Sequence, residues 1–473
     1  MNLQQKTLVA LLAVILCGCA KPPRIVQAVS SSASGQWVDV LPEKAKGVAA
    51  KSATVVIDTA RKLQRIEGFG ACFNELGWRA LSALDTQQRD EVISELFAPD
   101  GGCRFTVCRM PVGANDFSRG WYSYCEKAGD LAMESFSIDN DRETLIPFIK
   151  SALAQNPSLS IWASPWCPPS WMKVNGHYAC RPHPVKNDLP GDPKTNTEGR
   201  DMFITRPEYL KAYALYFGKF IDAYRDEGIR IFAVAPQNEF NSCQVFPSCT
   251  WTSRSLAAFI GGYLGKEMAS RGVEIILGTM ERENRLLIDT VMTDPAAGPY
   301  ISRAGFQWRG KGAITAVHEK YPQLRLMQTE SECGDGRNTW EFCMHTWDLV
   351  KHYLRNGASV YEYWNIALAG EGNSRWGWRQ NSLVTVDSVG RSFRYNPEFY
   401  LMKHLSHFVA PGAALLDTPA EQDMLAFLNP DGSVAVVAVN REAAAAEFNF
   451  ATPGRAWSVP LSAGSINTIL IEE

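Results

Sequence analysis

Apolar residues gather into eight short runs between residues 65 and 365, and stretches with helical spacing separate most of them. The runs are RIEGFGACF (65–73), FTVCRMPVG (105–113), LSIWASPW (159–166), IRIFAVAPQNE (229–239), EIILGTM (274–280), AGFQW (304–308), LRLMQTES (324–331) and ASVYEYWN (358–365). Strand-like runs alternating with helices are the pattern of βα units around a parallel sheet. The clearest helix is TRPEYLKAYALYFGKFIDAYRDEG. Here Thr205 stands as N-cap, Pro207 lies in the first turn, Glu208 comes three residues after the cap, and Gly228 stops the helix. Its apolar positions 209, 210, 213, 217, 220, 221 and 224 share one face, which such a spacing buries against a sheet. Eight units of this kind predict an α/β fold, a (β/α)8 TIM barrel over residues 65–411 with its site at the C-terminal ends of the strands.

Beyond about residue 411 the period changes to two. MLAFL-NPDG-SVAVVAVN reads as a hairpin, followed by AEFNFA and SINTILIEE. With TVVIDTA (54–60) from the other end of the chain, these strands predict a flanking β-sandwich built from residues 53–64 and 412–473. Residues 19–52 are rich in Ser, Pro and Ala without a sustained period, and read as a tether. No internal repeat is present.

Ahead of the tether, MNLQQK is followed by the short apolar run TLVALLAVIL and then by L-C-G-C at 16–19. The run is too short to span a membrane, so residues 1–18 read as a signal peptide. Small residues before Cys19 resemble the lipobox of bacterial lipoproteins, which implies cleavage before Cys19 and acylation of its thiol; a plain secretory signal is the alternative. Either way the protein is exported, and the lipoprotein reading places it on a membrane in the periplasm or at the cell surface.

Composition narrows the partners. Hydrophobic residues at 46% and charged residues at 21% describe an ordinary globular chain, and a net charge of −3 argues against a nucleic-acid partner. The 14 tryptophans are many for 473 residues, and flat faces suit sugar rings as well as cores. Of 12 cysteines, 10 lie beyond Cys19 in a disulfide-permissive compartment. Cys243 with Cys249 and Cys333 with Cys343 are close enough in sequence for local bridges, although buried thiols read equally well. No zinc spacing occurs, and His404 and His407 read as packing or surface residues.

The ends of the eight runs carry the chemistry. The second ends near Arg109, Asn115 and Asp116, the third at Trp166, the fourth at Asn238 and Glu239, the seventh at Glu330, and the eighth at Trp364 and Asn365. Carboxylates, amides and tryptophans on one rim are what sugar binding and glycosidic cleavage require. One carboxyl must be protonated to serve the leaving alkoxide, and the other ionised to meet the charge growing on the anomeric carbon. An unperturbed Glu titrates near about 4.3, so burial and mutual repulsion must raise the donor. These roles need no metal or organic cofactor.

Several stretches together resemble glycoside hydrolase family 30, the family of lysosomal glucosylceramidase. They are IEGFGACFNELGW, CRMPVGANDFS, WASPWCPPSWMK, VAPQNE, LMQTESECG, YWNIALAGEGNSRWGWRQNS and HLSHFVAPGA, spread over nearly all of 54–473. The resemblance implies a retaining β-glycoside hydrolase, with β-glucosidic bonds as the leading substrate class and β-1,6-glucanase, β-xylosidase or β-fucosidase activity as alternatives. Carried over position by position, it implies Glu239 as acid/base, Glu330 as nucleophile, Asn238 on the sugar 2-hydroxyl and Arg109 in support of the nucleophile. It also implies Asp116, Trp166, Trp364 and, more loosely, Asn381 around the −1 sugar. Glu332 is a rival nucleophile two residues on. Trp171, Trp376 and Trp378 are sugar platforms or loop packing. The sixth run departs from the family: Gln307 and Arg309 stand where glucosylceramidases carry a His and a Tyr, which bears on sugar specificity. The long connection 172–204 is expected to shape the pocket. A glycan-binding surface lipoprotein without activity is the alternative from another functional class.

Overall fold

The computed structural model describes residues 23–40 and 42–472; the signal peptide and Cys19 lie outside these. Eight parallel strands close into a barrel in chain order: β1 Gly68–Cys72, β2 Val107–Pro111, β3 Ser160–Ser164, β4 Ile231–Val234, β5 Glu274–Met280, β6 Ile301–Gln307, β7 Arg325–Glu330 and β8 Ala358–Asn365. Alternation within each strand sorts its side chains. Val107, Trp162, Ala233, Ile276, Met327 and Val360 fill the inside of the barrel, while Cys108, Met110, Ile161, Tyr361 and Tyr363 pack outward under the helices. An interior thus closed by side chains leaves the strand ends as the place for chemistry.

The helix Pro207–Asp226 buries Leu210, Tyr213, Phe217, Phe220, Ile221 and Tyr224 as its spacing predicts. Its N-cap is Arg206 and not Thr205, and no side chain caps it. Proline explains the shift. It holds Arg206 extended (φ −67°, ψ 145°), and at the first helical position it has no N–H to satisfy.

Two sheets form the sandwich. The larger runs Gly35–Asp39, Arg24–Ser32, Ser465–Glu472, Val434–Asn440, Met424–Leu428, Ala414–Leu416, Lys62–Arg65. The smaller runs Lys46–Gly47, Arg455–Leu461, Ala446–Thr452, Val55–Val56. The larger sheet is apolar on both faces: Val434, Val436 and Ala438 pack into the sandwich, whereas Ala435 and Val437 pack against the barrel.

The tether reading of 19–52 is corrected here. Arg24–Ser32 pairs antiparallel with Ser465–Glu472, from Arg24 opposite Glu472 to Ser32 opposite Ser465. Its serines hid the strand, yet they are satisfied inside the fold: Ser31 Oγ lies 2.9 Å from His404 Nε2, and Thr468 Oγ1 2.9 Å from His404 Nδ1. His404 is therefore a packing residue. All ten cysteines among the described residues are unpaired and buried, so neither local bridge forms.

Candidate active site

β4 stops at Val234, earlier than its apolar run suggests, and residues 235–239 turn over the barrel mouth. Three hydrogen bonds lock that turn. Asn238 N donates to Pro165 O at 2.7 Å, Glu239 N to Thr279 Oγ1 at 3.0 Å, and the Thr279 hydroxyl to Asn238 Oδ1 at 3.0 Å. They hold Glu239 at φ 45°, a left-handed conformation that costs a residue with a side chain roughly 1–3 kcal/mol. Trp308, after β6, is left-handed too, at φ 47°. Both strained residues place side chains in one pocket.

Arg109, on β2, organises the floor. Fully buried, it is flanked by the rings of Trp162 at 4.9 Å, Trp166 at 4.3 Å and Trp364 at 5.5 Å. Its guanidinium donates to Glu330 Oε2 at 2.9 Å, Asn238 Oδ1 at 2.7 Å, Thr329 O at 3.1 Å and Ser164 Oγ at 2.9 Å. Asn238 Oδ1 also receives Thr279 and Gln307, so its oxygen is turned into the protein and its NH2 group is the one presented to the pocket.

Gln307 ends β6 between the two acids. Its Oε1 accepts from Thr329 at 3.0 Å and Arg109 at 3.3 Å, which orients the amide. Its Nε2 lies 3.2 Å from Glu239 Oε1 and 3.2 Å from Glu330 Oε2. Those two oxygens are therefore no farther apart than twice that length. One sugar ring can thus meet both carboxyls at once. The Trp308 indole N–H adds a bond to Glu330 Oε1 at 2.8 Å.

Electrostatics separate the two acids. Burial raises both carboxyls above the usual range. On Glu330 the Arg109 charge opposes that rise, the neighbouring Glu239 adds to it, and the Trp308 and Arg109 bonds stabilise the anion. Glu239 has no cation at bonding distance among the described residues. Burial raises Glu330 to about 7, so the pair holds a proton more readily than free glutamates do, while the Arg109 guanidinium and the Trp308 N–H are the donors that favour the anion at Glu330.

The pocket above these groups has a volume of about 450 Å3 and is lined in part by Asp116, Trp166, Asn238, Glu239, Trp308 and Glu330. Asp116 Oδ1 is buried there with no partner among the described residues. Two residues expected around the sugar, Trp364 and Asn381, do not reach the pocket surface, and Arg109 bears on Glu330 from beneath. Arg109 is enclosed by its three tryptophans, and Trp364 is fully buried beneath Trp166 at 5.5 Å. Asn381 is spent on structure: its Oδ1 accepts from Gly336 N and Asn338 N, its Nδ2 donates to Glu398, and it lies behind Gly334. Its neighbour Gln380 lines the pocket instead.

Glu332 faces away, bound to Lys311 at 2.6 Å and His345 at 2.9 Å. Asn115 and Asn365 each bond to Asn74 behind the site. Of the three loop tryptophans, Trp378 lines the pocket, whereas Trp171 bonds to Cys125 O and Trp376 is buried. The connection 172–204 backs the wall and does not line it. Glu198 holds Arg282, and Lys186 lies over Trp378 at 5.1 Å. Sequence reasoning missed Ser164, Thr279, Glu281 and Trp308. Alternation from Trp162 would have pointed Ser164 inward, and Trp308 adjoins the departure already noted at Gln307.

A (β/α)8 barrel carrying two buried carboxyls on one pocket at its C-terminal mouth has the architecture of a glycoside hydrolase. Residues 66–409 match the glycosyl hydrolase family 30 TIM-barrel domain, and residues 416–469 match the family 30 beta sandwich domain. The chain belongs to glycosyl hydrolase family 30. It is 27% identical to the lysosomal acid glucosylceramidase of Mus musculus over 446 residues, 88% of this chain and 83% of that protein. It is 25% identical to the endo-1,6-beta-D-glucanase neg1 of Aspergillus fumigatus over 409 residues, 80% and 78% of the two chains. Among solved structures, SrfJ from Salmonella typhimurium shares the fold with a TM-score of 0.81 at 23% identity, over 94% of this chain and 98% of that one.

Proposed function

We propose that the chain hydrolyses β-glucosidic bonds by double displacement, with Glu330 as nucleophile and Glu239 as acid/base. The observation that carries the assignment is the unequal support of the two carboxyls. Glu330 receives Arg109, Gln307 and Trp308, all donors that favour the anion, while Glu239 receives the neutral donors Gln307 and Ser242 and has no cation at bonding distance among the described residues. Glu330 attacks the anomeric carbon as Glu239 protonates the departing oxygen. Glu239, now ionised, takes a proton from water, and that water displaces Glu330 from the glycosyl-enzyme. The Asn238 NH2 group is free to hold the sugar 2-hydroxyl, and Asp116 and Trp166 bound the −1 position.

The likeness to glucosylceramidase supports glucose at that position. The likeness to neg1 makes β-1,6-glucan the second reading. Cys19 is the proposed lipid attachment, and the fold resumes at Arg24, so an acylated chain sits against a membrane surface after export. Acyl labelling of wild type and of Cys19→Ala, followed by fractionation, tests that part; equal labelling of both refutes it. Turnover of 4-nitrophenyl β-glucoside, followed by NMR, tests the rest. Wild type releases the β-anomer first and Glu330→Gln loses activity by orders of magnitude; first release of the α-anomer, or an active Glu330→Gln, overturns it.

A further inference from the structure

The β5 side of the pocket has no part in the chemistry above. Glu281 follows β5 directly, lines the pocket and is 2% exposed, and its Oε1 has no hydrogen-bond partner among the described residues. Arg282 is held by Glu198, and its nearest nitrogen is 3.7 Å from Glu281 Oε1, beyond hydrogen-bond reach. Each such buried polar atom in a native protein calls for a partner.

Its place relative to the scissile bond follows from its neighbours. Thr279, two residues earlier, bonds to the Glu239 amide, so the end of β5 flanks the acid/base. The strongest charge acting on Glu281 is that of Glu239, whereas for Asp116 it is that of Glu330. A group beside the proton donor and away from the nucleophile stands on the leaving-group side. Burial, with the Glu239 charge, raises the Glu281 carboxyl well above its usual range, so it keeps a proton to donate.

The rest of this wall is polar. Ser242 and Gln244 line it, with Gln244 Nε2 donating to Ser242 Oγ at 2.6 Å, and Arg309 is exposed with no ion pair or hydrogen bond among the described residues. A lipid leaving group would strip water from these groups at about 1–3 kcal/mol for each one left unpaired, whereas sugar hydroxyls replace the lost bonds. Phe246 supplies a flat face on which a second ring can stack.

We infer that this wall is a leaving-group subsite for a sugar, with Glu281 bonding a hydroxyl of the second ring, so that the substrate is a β-linked oligo- or polysaccharide and not a glycolipid. The inference rests on Glu239 being the acid/base. The test compares kcat/KM for 1,3-, 1,4- and 1,6-linked β-glucose disaccharides, 4-nitrophenyl β-glucoside and glucosylceramide in detergent micelles. Wild type is expected to prefer at least one disaccharide over glucosylceramide. Glu281→Leu lowers the ratio of disaccharide to aryl-glucoside kcat/KM by about tenfold or more, chiefly through KM, as expected for one lost bond to a buried group. Glu281→Gln, which keeps shape and a donor, restores that ratio to within about threefold. A preference for glucosylceramide, or an unchanged ratio in Glu281→Leu, overturns the inference. Labelling wild type with 2-deoxy-2-fluoro-β-glucosyl fluoride tests the underlying reading separately, because fluoride leaves the subsite empty. Label on Glu330 keeps the double displacement even if the subsite fails, and label elsewhere or none sinks the double displacement itself.

Discussion

Arg109→Met removes the cation from beneath Glu330 and leaves a similar volume. The wild-type ion pair is closed, with the Arg109 side chain fully buried and that of Glu330 8% exposed at an N···O distance of 2.9 Å. An opposite charge this near lowers a carboxyl by roughly 1–3 pKa units, so its loss should raise Glu330 by as much. At about 1.36 kcal/mol per unit that is about 1.4–4 kcal/mol, overlapping the roughly 3–5 kcal/mol seen when one partner of a buried pair is deleted. The sign is fixed by the role: a nucleophile with a higher pKa is protonated at higher pH, so activity is lost from the acid side. The assay is kcat/KM for 4-nitrophenyl β-glucoside from about pH 4 to 10, with a thermal melt to confirm folding, starting from a Glu330 carboxyl that burial raises to about 7 in wild type. The acid limb should move up by about 1–3 pH units, lowering kcat/KM on that limb by about 10–1000-fold. Asn238 also loses a bond at 2.7 Å, which adds a uniform drop at all pH values. A uniform drop alone, with the acid limb unmoved, would refute the claim that Arg109 sets the charge on Glu330.

Four further outcomes follow from the same geometry. Glu239→Gln should cost about 10²–10⁴ on substrates with poor leaving groups and far less on 2,4-dinitrophenyl β-glucoside, and azide should restore turnover as β-glucosyl azide; equal losses on both would remove Glu239 from the acid role. Glu332→Gln, which touches Lys311 and His345 and not the pocket, should change kcat/KM by less than about threefold, because partly exposed pairs of this kind contribute about 0–1 kcal/mol. Gln307→Leu should lower kcat more than it raises KM, since it unties two carboxyls while Asn238 Oδ1 stays held by Arg109 and Thr279; a pure KM effect contradicts a positioning role. Burial lowers His404 to about 3, so between that value and the unfolded value near about 6.5 the unfolded chain binds the extra proton. Stability should therefore fall as pH drops through this window, by up to about 1.4 kcal/mol per pH unit from this group, and His404→Gln should flatten the slope in urea titrations.

The barrel was legible in the chain because eight strands buried on both faces need apolar runs, and such runs survive as a pattern whatever surrounds them. The sandwich was legible only in part. Val434–Asn440 alternates visibly, but Arg24–Ser32 is a strand because Ser465–Glu472 lies beside it and His404 receives its serine. Backbone pairing asks little of side chains, so a serine-rich segment gave no signal. Glu239 and Glu330 stood out as acids at the ends of apolar runs, and their family motifs named them. Asn381 shows the limit: a motif match marks an amide that must be kept, without saying whether it faces a sugar or Glu398.

Residue order alone therefore determined the eightfold βα pattern, the two acids and the departure at Gln307. Tertiary structure decided what each of these does. Only closure of the barrel brings the ends of β2, β4, β6 and β7 to one point, where a single amide meets both carboxyls and a buried guanidinium bonds to one of them. Only the turn after β5 puts Glu281 into the same pocket as Glu239. Those relations are distances between residues far apart in the chain. Charge and hydrogen bonding act across such gaps only after folding has closed them and driven out the water.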